Sequence, residues 1–517
     1  GHGGSRMNHR FDAIVIGSGF GGAVTACRLA EQGYSVCVLE RGQGHFHPPG
    51  YDRYFADSVF TLTEQGVWNE SAGKYGVTEY MSFPNLHLLR ASGVGGGSLH
   101  YYGATLRPLR HHFERLAWPT GVTWGLLDGF YSTAERMLRA VPVSPTPANP
   151  ALPPRTQAFG QAMQLAGEES FPVPLAINFG QVPERPVCDH RGDCGLGCNI
   201  SAKNTLDTNY LSWAVANGAV IWPLCKATCI EPRGAQGYRV YFHRLNDHCD
   251  LAIDADRVIV SASSIGSTEL LLRCKYVHRT LDMISPALGC NFTTNGDYAY
   301  SGTLLPRGIP VCPTQGPNIT AAAWFEEGHD QFLVEDCSVS DELRILLRKT
   351  ILRRTSFLPI LQSYMQGEFP IEFEWTNEIQ KTWGRINRFL PYLVMGQDPR
   401  TGQISLDSCG NACIDWPYEA TWDFFEKVRN VLRRISCATG GEYFENVWEQ
   451  NGKSFTAHAL GGCIMGDSMH NAVVDARGEV FNYPNLHVID GSIIPGPIGV
   501  NPSLTITAVA ELINYML

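Results

Sequence analysis

One imidazole and one carboxamide near the C-terminus are the first chemistry that this sequence offers. His458 stands in His458-Ala459-Leu460-Gly461-Gly462-Cys463, and Asn501 opens Asn501-Pro502-Ser503-Leu504-Thr505. A neutral imidazole can accept a proton near physiological pH, and a carboxamide can donate to an oxygen and fix its direction. Together they suit an alcohol whose hydroxyl proton must leave while its carbon gives up a hydride. Between them lies Asp490-Gly491-Ser492. At the other end of the chain, Phe11-Asp12-Ala13-Ile14-Val15-Ile16 runs straight into Gly17-Ser18-Gly19-Phe20-Gly21-Gly22.

The elements that must position these groups follow from residue type. The apolar run before Gly17 reads as a strand, Ala23 to Gln32 as a helix, and Ser35 to Glu40 as a second strand. A glycine turn between strand and helix has a mechanism. Gly17 permits the tight turn, Gly19 lets backbone approach a pyrophosphate, and Gly22 lets helix and strand pack closely; Phe20 and Gly21 lie inside the same turn. Backbone N–H groups at the helix start favour the diphosphate charge. Glu40 is placed to accept both ribose hydroxyls and would repel a 2′-phosphate. The pattern is that of a dinucleotide site. The return of the chain with Asp490 and Gly491 favours FAD over NAD.

Bulk properties narrow the partners. A length of 517 residues is too great for one simple core and predicts two connected domains. A net charge of -10 argues against a nucleic-acid partner, which needs a basic face. No run approaches the roughly 20 apolar residues of a membrane span. Gly1 to about Arg6 is set aside, with Met7 read as the natural start. No apolar signal core follows it, which points to a cytoplasmic protein with reduced thiols. Cys188, Cys194 and Cys198, with His190 and several glycines between them, invite a metal or iron–sulfur reading. Their spacing fits neither paired zinc ligands nor a ferredoxin run, so the expectation is a loop with free thiols or a local disulfide, and no metal.

A second glycine run, Ser92 to Ser98, is followed by helical patterns near 125–140 and 155–167. Short strands are expected at Ala219–Trp222, Lys226–Ile230 and Arg239–His243, and a buried strand at Arg257–Ala262 before another small-residue turn and helix. From about 295 to 455 the character changes to strand-like pieces and a helical region over about 341–365. Its apolar face suits either a substrate channel or ordinary core. Leu504 to Leu517 reads as a closing helix.

These pieces, in this order, resemble the glucose–methanol–choline (GMC) oxidoreductases, in particular the bacterial cholesterol oxidases among them. The likeness rests on the N-terminal cradle, Gly93 to Ser98, Ala202 to Asp207, His458 to Cys463, and Asp490 to Thr507. The resemblance implies an α/β, Rossmann-like FAD-binding domain of GMC type with a second, α+β substrate domain built on an antiparallel sheet. Residues 7–294 would form the FAD-binding part with some of the substrate cap, 295–455 mainly the substrate domain, and 456–517 the return carrying the catalytic pair. It further implies that Gly97 and Ser98 lie along the pyrophosphate and flavin. Ala227 would present backbone to the adenine, and Asp490 and Gly491 would hold ribityl and diphosphate oxygens. Asn501 and Ser503 would run beside the flavin ring, with His458 and Asn501 as the catalytic pair. The expected partners are a bulky hydrophobic alcohol (steroid-, terpenoid- or polyketide-like) and molecular oxygen or another electron acceptor.

Two departures stand out. Where those oxidases place an asparagine near the flavin, this chain has Tyr101, flanked by His100 and Tyr102. Where they use a glutamate base to move a steroid double bond, counting back from Tyr392 reaches Ile386, and Glu372 and Glu374 do not align. Sterol isomerisation is therefore not expected. A redox-neutral flavoenzyme and a non-catalytic FAD-binding protein remain as rival readings.

Overall fold

The computed structural model describes residues 10–44, 67–198, 200–338, 387–399 and 401–517. The helical region expected over 341–365 lies outside the described residues, as do Met7, Glu372, Glu374 and Ile386.

Strand β1 (Arg10–Ile16) becomes fully buried from Ala13 onward, which is why its sequence is apolar without alternation. It feeds through the glycine turn into helix α1 (Phe20–Glu31), and the chain returns in β2 (Val36–Leu39), parallel to β1 with Ala13 opposite Val36. The other side of β1 pairs in parallel with β3 (Cys249–Val260), Ile16 opposite Val260. The sheet runs Val220–Trp222, β2, β1, β3, Tyr238–Arg244, Cys225–Pro232, the last two antiparallel. Sequence reading placed a strand only at Arg257–Ala262. The polar first half of β3, with Asp250, Asp254 and Asp256, is half-solvated in the antiparallel part of the sheet and hides the strand from a search for apolar runs.

A second sheet is antiparallel throughout: Glu442–Phe444, β4 (Tyr298–Leu304), Phe389–Gly396, β5 (Asp330–Asp336), Ala321–Glu327, Phe171–Pro172. Helix Trp422–Thr439 covers one face with Phe424, Phe425, Val428, Val431, Leu432 and Ile435, a helical stripe that joins Tyr298, Phe332 and Val394 of the sheet in one apolar core. The Rossmann-like α/β layer joined to an antiparallel sheet is the architecture the sequence led us to expect.

The tail closes the first layer. Strand β6 (Leu486–Val488) pairs in parallel with β3, Val260 opposite Val488, and helix α2 (Ser503–Met516) packs against α1. Arg28 of α1 meets Glu511 of α2 through three hydrogen bonds, Nε to Oε1 at 3.2 Å and to Oε2 at 2.9 Å, and Nη2 to Oε1 at 2.8 Å. A Cβ at Gly21 would lie 1.8 Å from the Ile489 carbonyl oxygen, so α1 and the tail touch backbone to backbone. Among the described residues no helix is long and apolar enough to cross a membrane.

Gly21→Ala is expected to destabilise the fold by about 1–3 kcal/mol, because main chain must move to admit the methyl group. Gly129→Ala, in open space on helix Trp124–Leu138, is expected to stabilise by about 0.5–1 kcal/mol. Thermal unfolding of both variants checks this; equal shifts would contradict the head-to-tail contact.

Candidate active site

β1, β3 and β6 are mutually parallel and end at one edge of the sheet, at Ile16, Val260 and Val488. Loops leaving the carboxyl edge of such a sheet are where ligands bind. A cavity of about 410 Å³ opens there, lined by Ile16, Ser261 and Asp490 from the three loops.

Most residues singled out from the sequence line this cavity. Gly17, Gly19, Phe20, Gly21, Glu40, Gly97 and Tyr101 do so from the head of the chain, Ala227 from the middle, and His458, Asp490, Gly491, Asn501 and Ser503 from the tail. Gly22 and Ser98 stand behind it. A Cβ at Gly22 would lie 2.1 Å from the Gly17 carbonyl oxygen, so its service is helix-to-strand packing. Ser98 Oγ donates to the Gly95 carbonyl at 2.7 Å and accepts from Leu206 N at 3.0 Å, holding the second glycine run in shape.

The head side has the form of a phosphate cradle. Gly17 adopts φ +98°, and a Cβ there would lie 2.2 Å from the Ser261 carbonyl oxygen. At Gly19 a Cβ would meet nothing nearer than 4.0 Å, at Gly96 and Gly97, so the glycine leaves an open slot. Neither α1 nor α2 has a side-chain cap, and both helices start at the cavity wall, where their first N–H groups favour an anion or an electron-rich ring edge. Glu40 accepts from Ser18 N at 3.1 Å, Ser18 Oγ at 2.6 Å and Gly42 N at 2.8 Å, which fixes its carboxylate against the turn. The residues present fit a dinucleotide.

On the tail side, His458 Nδ1 lies 2.8 Å from Asp297 Oδ1. The second Asp297 oxygen accepts from Thr456 Oγ1 at 2.9 Å and Ala457 N at 3.1 Å, so the carboxylate is locked in place. A carboxylate only accepts, which puts the ring proton on Nδ1 and leaves the Nε2 lone pair free. Asn295, two residues earlier, accepts from Ile498 N at 2.9 Å and Gly499 N at 3.1 Å, and donates to the Val500 carbonyl at 2.7 Å. It thereby holds the loop that ends in Asn501. Sequence reading found neither residue. Their neighbourhood, Thr293-Thr294-Asn295-Gly296-Asp297, carries no motif, and their partners lie far along the chain.

Asn501 Nδ2 donates to Glu335 Oε2 of β5 at 3.3 Å. Glu335 is wholly buried, and burial pushes its carboxyl well above the usual carboxylate range, with Asp336 and Asp297 adding to the rise and Asn501 opposing it. Asn501 Oδ1 and Glu335 Oε1 are buried without partners among the described residues, and Asn501 lines the cavity, where a bound group can reach it. An acid ending the apolar run Phe332-Leu333-Val334 was the sequence signal that could have found it.

The surrounding shell is polar and tightly bonded. Asp490 accepts from Ser267 Oγ at 2.5 Å and Ser492 N at 2.8 Å, and burial raises its carboxyl. Lys203, fully buried, donates to the carbonyls of Leu99 at 3.1 Å, Tyr101 at 2.8 Å and Cys194 at 2.5 Å, tying the glycine run to the cysteine loop. Tyr101 donates to the Asn204 carbonyl at 2.6 Å and packs its ring edge-on to Phe20. Cys188, Cys194 and Cys198 are buried free thiols, and burial pushes Cys194 up to about 12. Among the described residues no three His, Cys, Asp or Glu side chains are grouped to hold a metal ion.

Residues 4–295 and 401–510 match the GMC oxidoreductase family in its N-terminal and C-terminal parts. The chain belongs to that family and is an oxidoreductase. It is 28% identical to a cholesterol oxidase of Acinetobacter baumannii, over 98% of this chain and 94% of that one. It is 25% identical to a long-chain-alcohol oxidase of Arabidopsis thaliana, over 98% and 67%. The solved pyridoxine 4-oxidase of Mesorbium loti shares the fold, with a TM-score of 0.60 at 18% identity over 98% of both chains.

The upward shift of the Glu335 carboxyl has a signed consequence. An unfolded glutamate loses its proton near pH ~4.3, whereas the folded protein keeps it to higher pH. The folded state then binds more protons, and stability falls as pH rises between those two points. Glu335→Gln removes this slope. Its unfolding temperature is expected to gain on the wild type as pH rises above about 4, and a difference that does not change with pH would contradict the raised carboxyl.

Proposed function

We propose that this protein is a FAD-dependent enzyme that oxidises an alcohol carbon of a bulky hydrophobic substrate, with His458 and Asn501 at the reacting group. The observation that carries this reading is the convergence, on one cavity, of an uncapped glycine cradle from the head and a carboxylate-held imidazole from the tail. When bound, the flavin supplies the hydride acceptor and passes the electrons on to molecular oxygen or another acceptor. Gly17, Gly19, Gly21 and Gly97 would hold its diphosphate, Glu40 the ribose, Ala227 the adenine side, and Asp490 with Gly491 the ribityl chain.

The chain's own work is to move one proton and fix one bond direction. His458 Nε2 accepts the hydroxyl proton as the carbon loses its hydride, and the charge that develops on the ring is met by Asp297 at 2.8 Å. Asn501 orients the alcohol oxygen so that the carbon–hydrogen bond points into the site. Glu335 keeps Asn501 in place by accepting from its Nδ2 at 3.3 Å. Leu88, Ile265, Leu393, Phe455 and Ile506 give the cavity apolar walls. The relatives that act on cholesterol and on long-chain alcohols support a hydrophobic substrate.

The test is a visible spectrum of the purified protein followed by anaerobic addition of steroid, terpenoid and long-chain alcohols. Bleaching of the flavin bands by a member of the panel is expected; bleaching by none would refute the reading. In the responsive case His458→Ala is expected to slow bleaching by about 10²–10⁴-fold. Asp297→Asn, whose amide can donate to Nδ1 and turn the Nε2 lone pair away, is expected to cost at least about tenfold in rate with little change in half-saturating alcohol.

A further inference from the structure

Strand β4 breaks its own alternation at the cavity. Ala299 pairs with Leu393, yet the next paired residue, Ser301, faces Tyr392, so Tyr300 is the extra residue of a bulge. Tyr300 sits at φ +67°, a left-handed conformation that is costly for a bulky side chain and that bulges usually reserve for glycine. The effect is geometric. Tyr298 points into the core beneath the sheet, against Phe425, while Ala299 and Tyr300, neighbours in sequence, both line the cavity. A strained residue that re-aims a side chain into a ligand cavity is where function is to be sought.

The phenol so aimed meets a second one. Tyr300 and Tyr102 share a hydroxyl–hydroxyl hydrogen bond. Tyr102 is itself given room by the cysteine loop: a Cβ at Gly195 would lie 2.6 Å from the Tyr102 ring, and Gly195 N is fixed by Asn318 Oδ1 at 3.2 Å. Burial raises both phenols far above physiological pH, so both stay protonated. Two hydroxyl groups hold two protons, and one proton suffices for the bond between them. Among the described residues the Cys337 thiol beside Tyr300 is the remaining partner, and sulfur is a weak acceptor. The pair thus offers a hydrogen bond to whatever oxygen approaches it. Around it the wall is apolar and aromatic, with Trp448 6.1 Å from the Tyr300 ring and stacked on Phe455, and with Leu393 opposite Ala299.

We infer that the Tyr102–Tyr300 pair recognises a second oxygen of the substrate, so that the preferred substrate is a rigid hydrophobic alcohol carrying a further ketone or hydroxyl away from the reacting carbon. This rests on the alcohol-oxidation reading above and specifies its substrate class. An apolar wall alone admits any greasy alcohol. A polar pair in that wall, left unpaired when an apolar group covers it, selects against the substrate that lacks the oxygen.

The experiment measures binding apart from turnover. Holoenzyme with its flavin chemically reduced is titrated, by tryptophan fluorescence, with a saturated steroid monoalcohol and with keto derivatives that carry one ketone at successive ring positions. At least one keto derivative is expected to bind about tenfold more tightly than the parent. In Tyr300→Phe and in Tyr102→Phe, which keep the rings and lose one hydroxyl, that ratio is expected to fall below about twofold. Because the readout is a ratio within each variant, general loosening of the site does not imitate it. The inference is overturned if no keto derivative outbinds the parent, or if the preference persists in both variants. Failure of every alcohol to bleach oxidised flavin would instead sink the reaction proposed above, and the binding ratio would still decide the role of the pair.

Discussion

The five residues Thr293 to Asp297 are the constraint on which the tail side of the cavity depends. Thr293 exchanges backbone hydrogen bonds with Leu460, beside His458. Asn295 grips the loop 498–500 with three hydrogen bonds, and Asp297 grips the His458 ring and its backbone approach. One short segment thus sets the imidazole and the carboxamide relative to each other, although neither belongs to it. Both side chains sit on loops, and loops are placed only as well as their hydrogen bonds allow. Here the bonds come from buried, rigid groups. Thr293, Asn295 and Asp297 are all buried, and the competition from water that would loosen such contacts is absent.

That clasp needs a fixed partner on the head side, and the parallel sheet provides it. β3 is shared: β1 lies on one side of its C-terminal half and β6 on the other. The glycine turn after β1 and the Asp490 loop after β6 therefore leave the same edge within a strand or two of each other. Ser261, at the end of β3, completes the junction by donating its hydroxyl to the Ile489 carbonyl at 2.6 Å. Gly21 has no side chain because that same carbonyl occupies the space. The Arg28–Glu511 pair between α1 and α2 then locks the two helices behind the cavity. Truncating Arg28 would leave the buried Glu511 carboxylate without its counter-charge, which is the costly direction for such a pair.

What could be read from the sequence and what could not divide along one physical line. The cradle was legible because its glycines fall at fixed spacing in one short run between strand and helix, even though the backbone that crowds Gly17 and Gly21 comes from Ser261 and Ile489, far along the chain. The fold class was legible for a similar reason: unbroken apolar runs beside glycine turns belong to central parallel strands. His458 and Asn501 could be singled out by residue type and context, and the structure sets both on one cavity wall. Asp297 and Glu335 could not, since their contacts span 161 and 166 positions of chain and no local pattern announces them. In the cysteine loop, expected to carry free thiols or a local disulfide, the three thiols are free and buried, and the residue that matters to the cavity is Gly195, which makes way for Tyr102.

The distribution of strain makes the same point from the opposite direction. At the end of strand β5, a buried charged pair is satisfied in full. Arg155 and Asp336, both wholly buried, share a hydrogen bond at 2.9 Å, and Asp336 takes three more from Thr320 and Ala321 while Arg155 binds the Gln315 and Pro317 carbonyls. One residue along β5, Glu335 has an oxygen with no partner, facing an Asn501 with the same deficit. Both residues pair with the same neighbouring strand, Glu335 opposite Leu393 and Asp336 opposite Tyr392, so a break in the sheet does not account for the contrast. Nor does it account for Tyr300, forced into a left-handed conformation in a strand whose other residues hydrogen-bond in register. Selection for stability alone would have filled these vacancies with apolar side chains, since an unpaired buried polar atom costs about 1–3 kcal/mol. At the cavity wall such groups have a use: a ligand can bring Asn501 and the Tyr102–Tyr300 pair the hydrogen bonds that the chain does not supply.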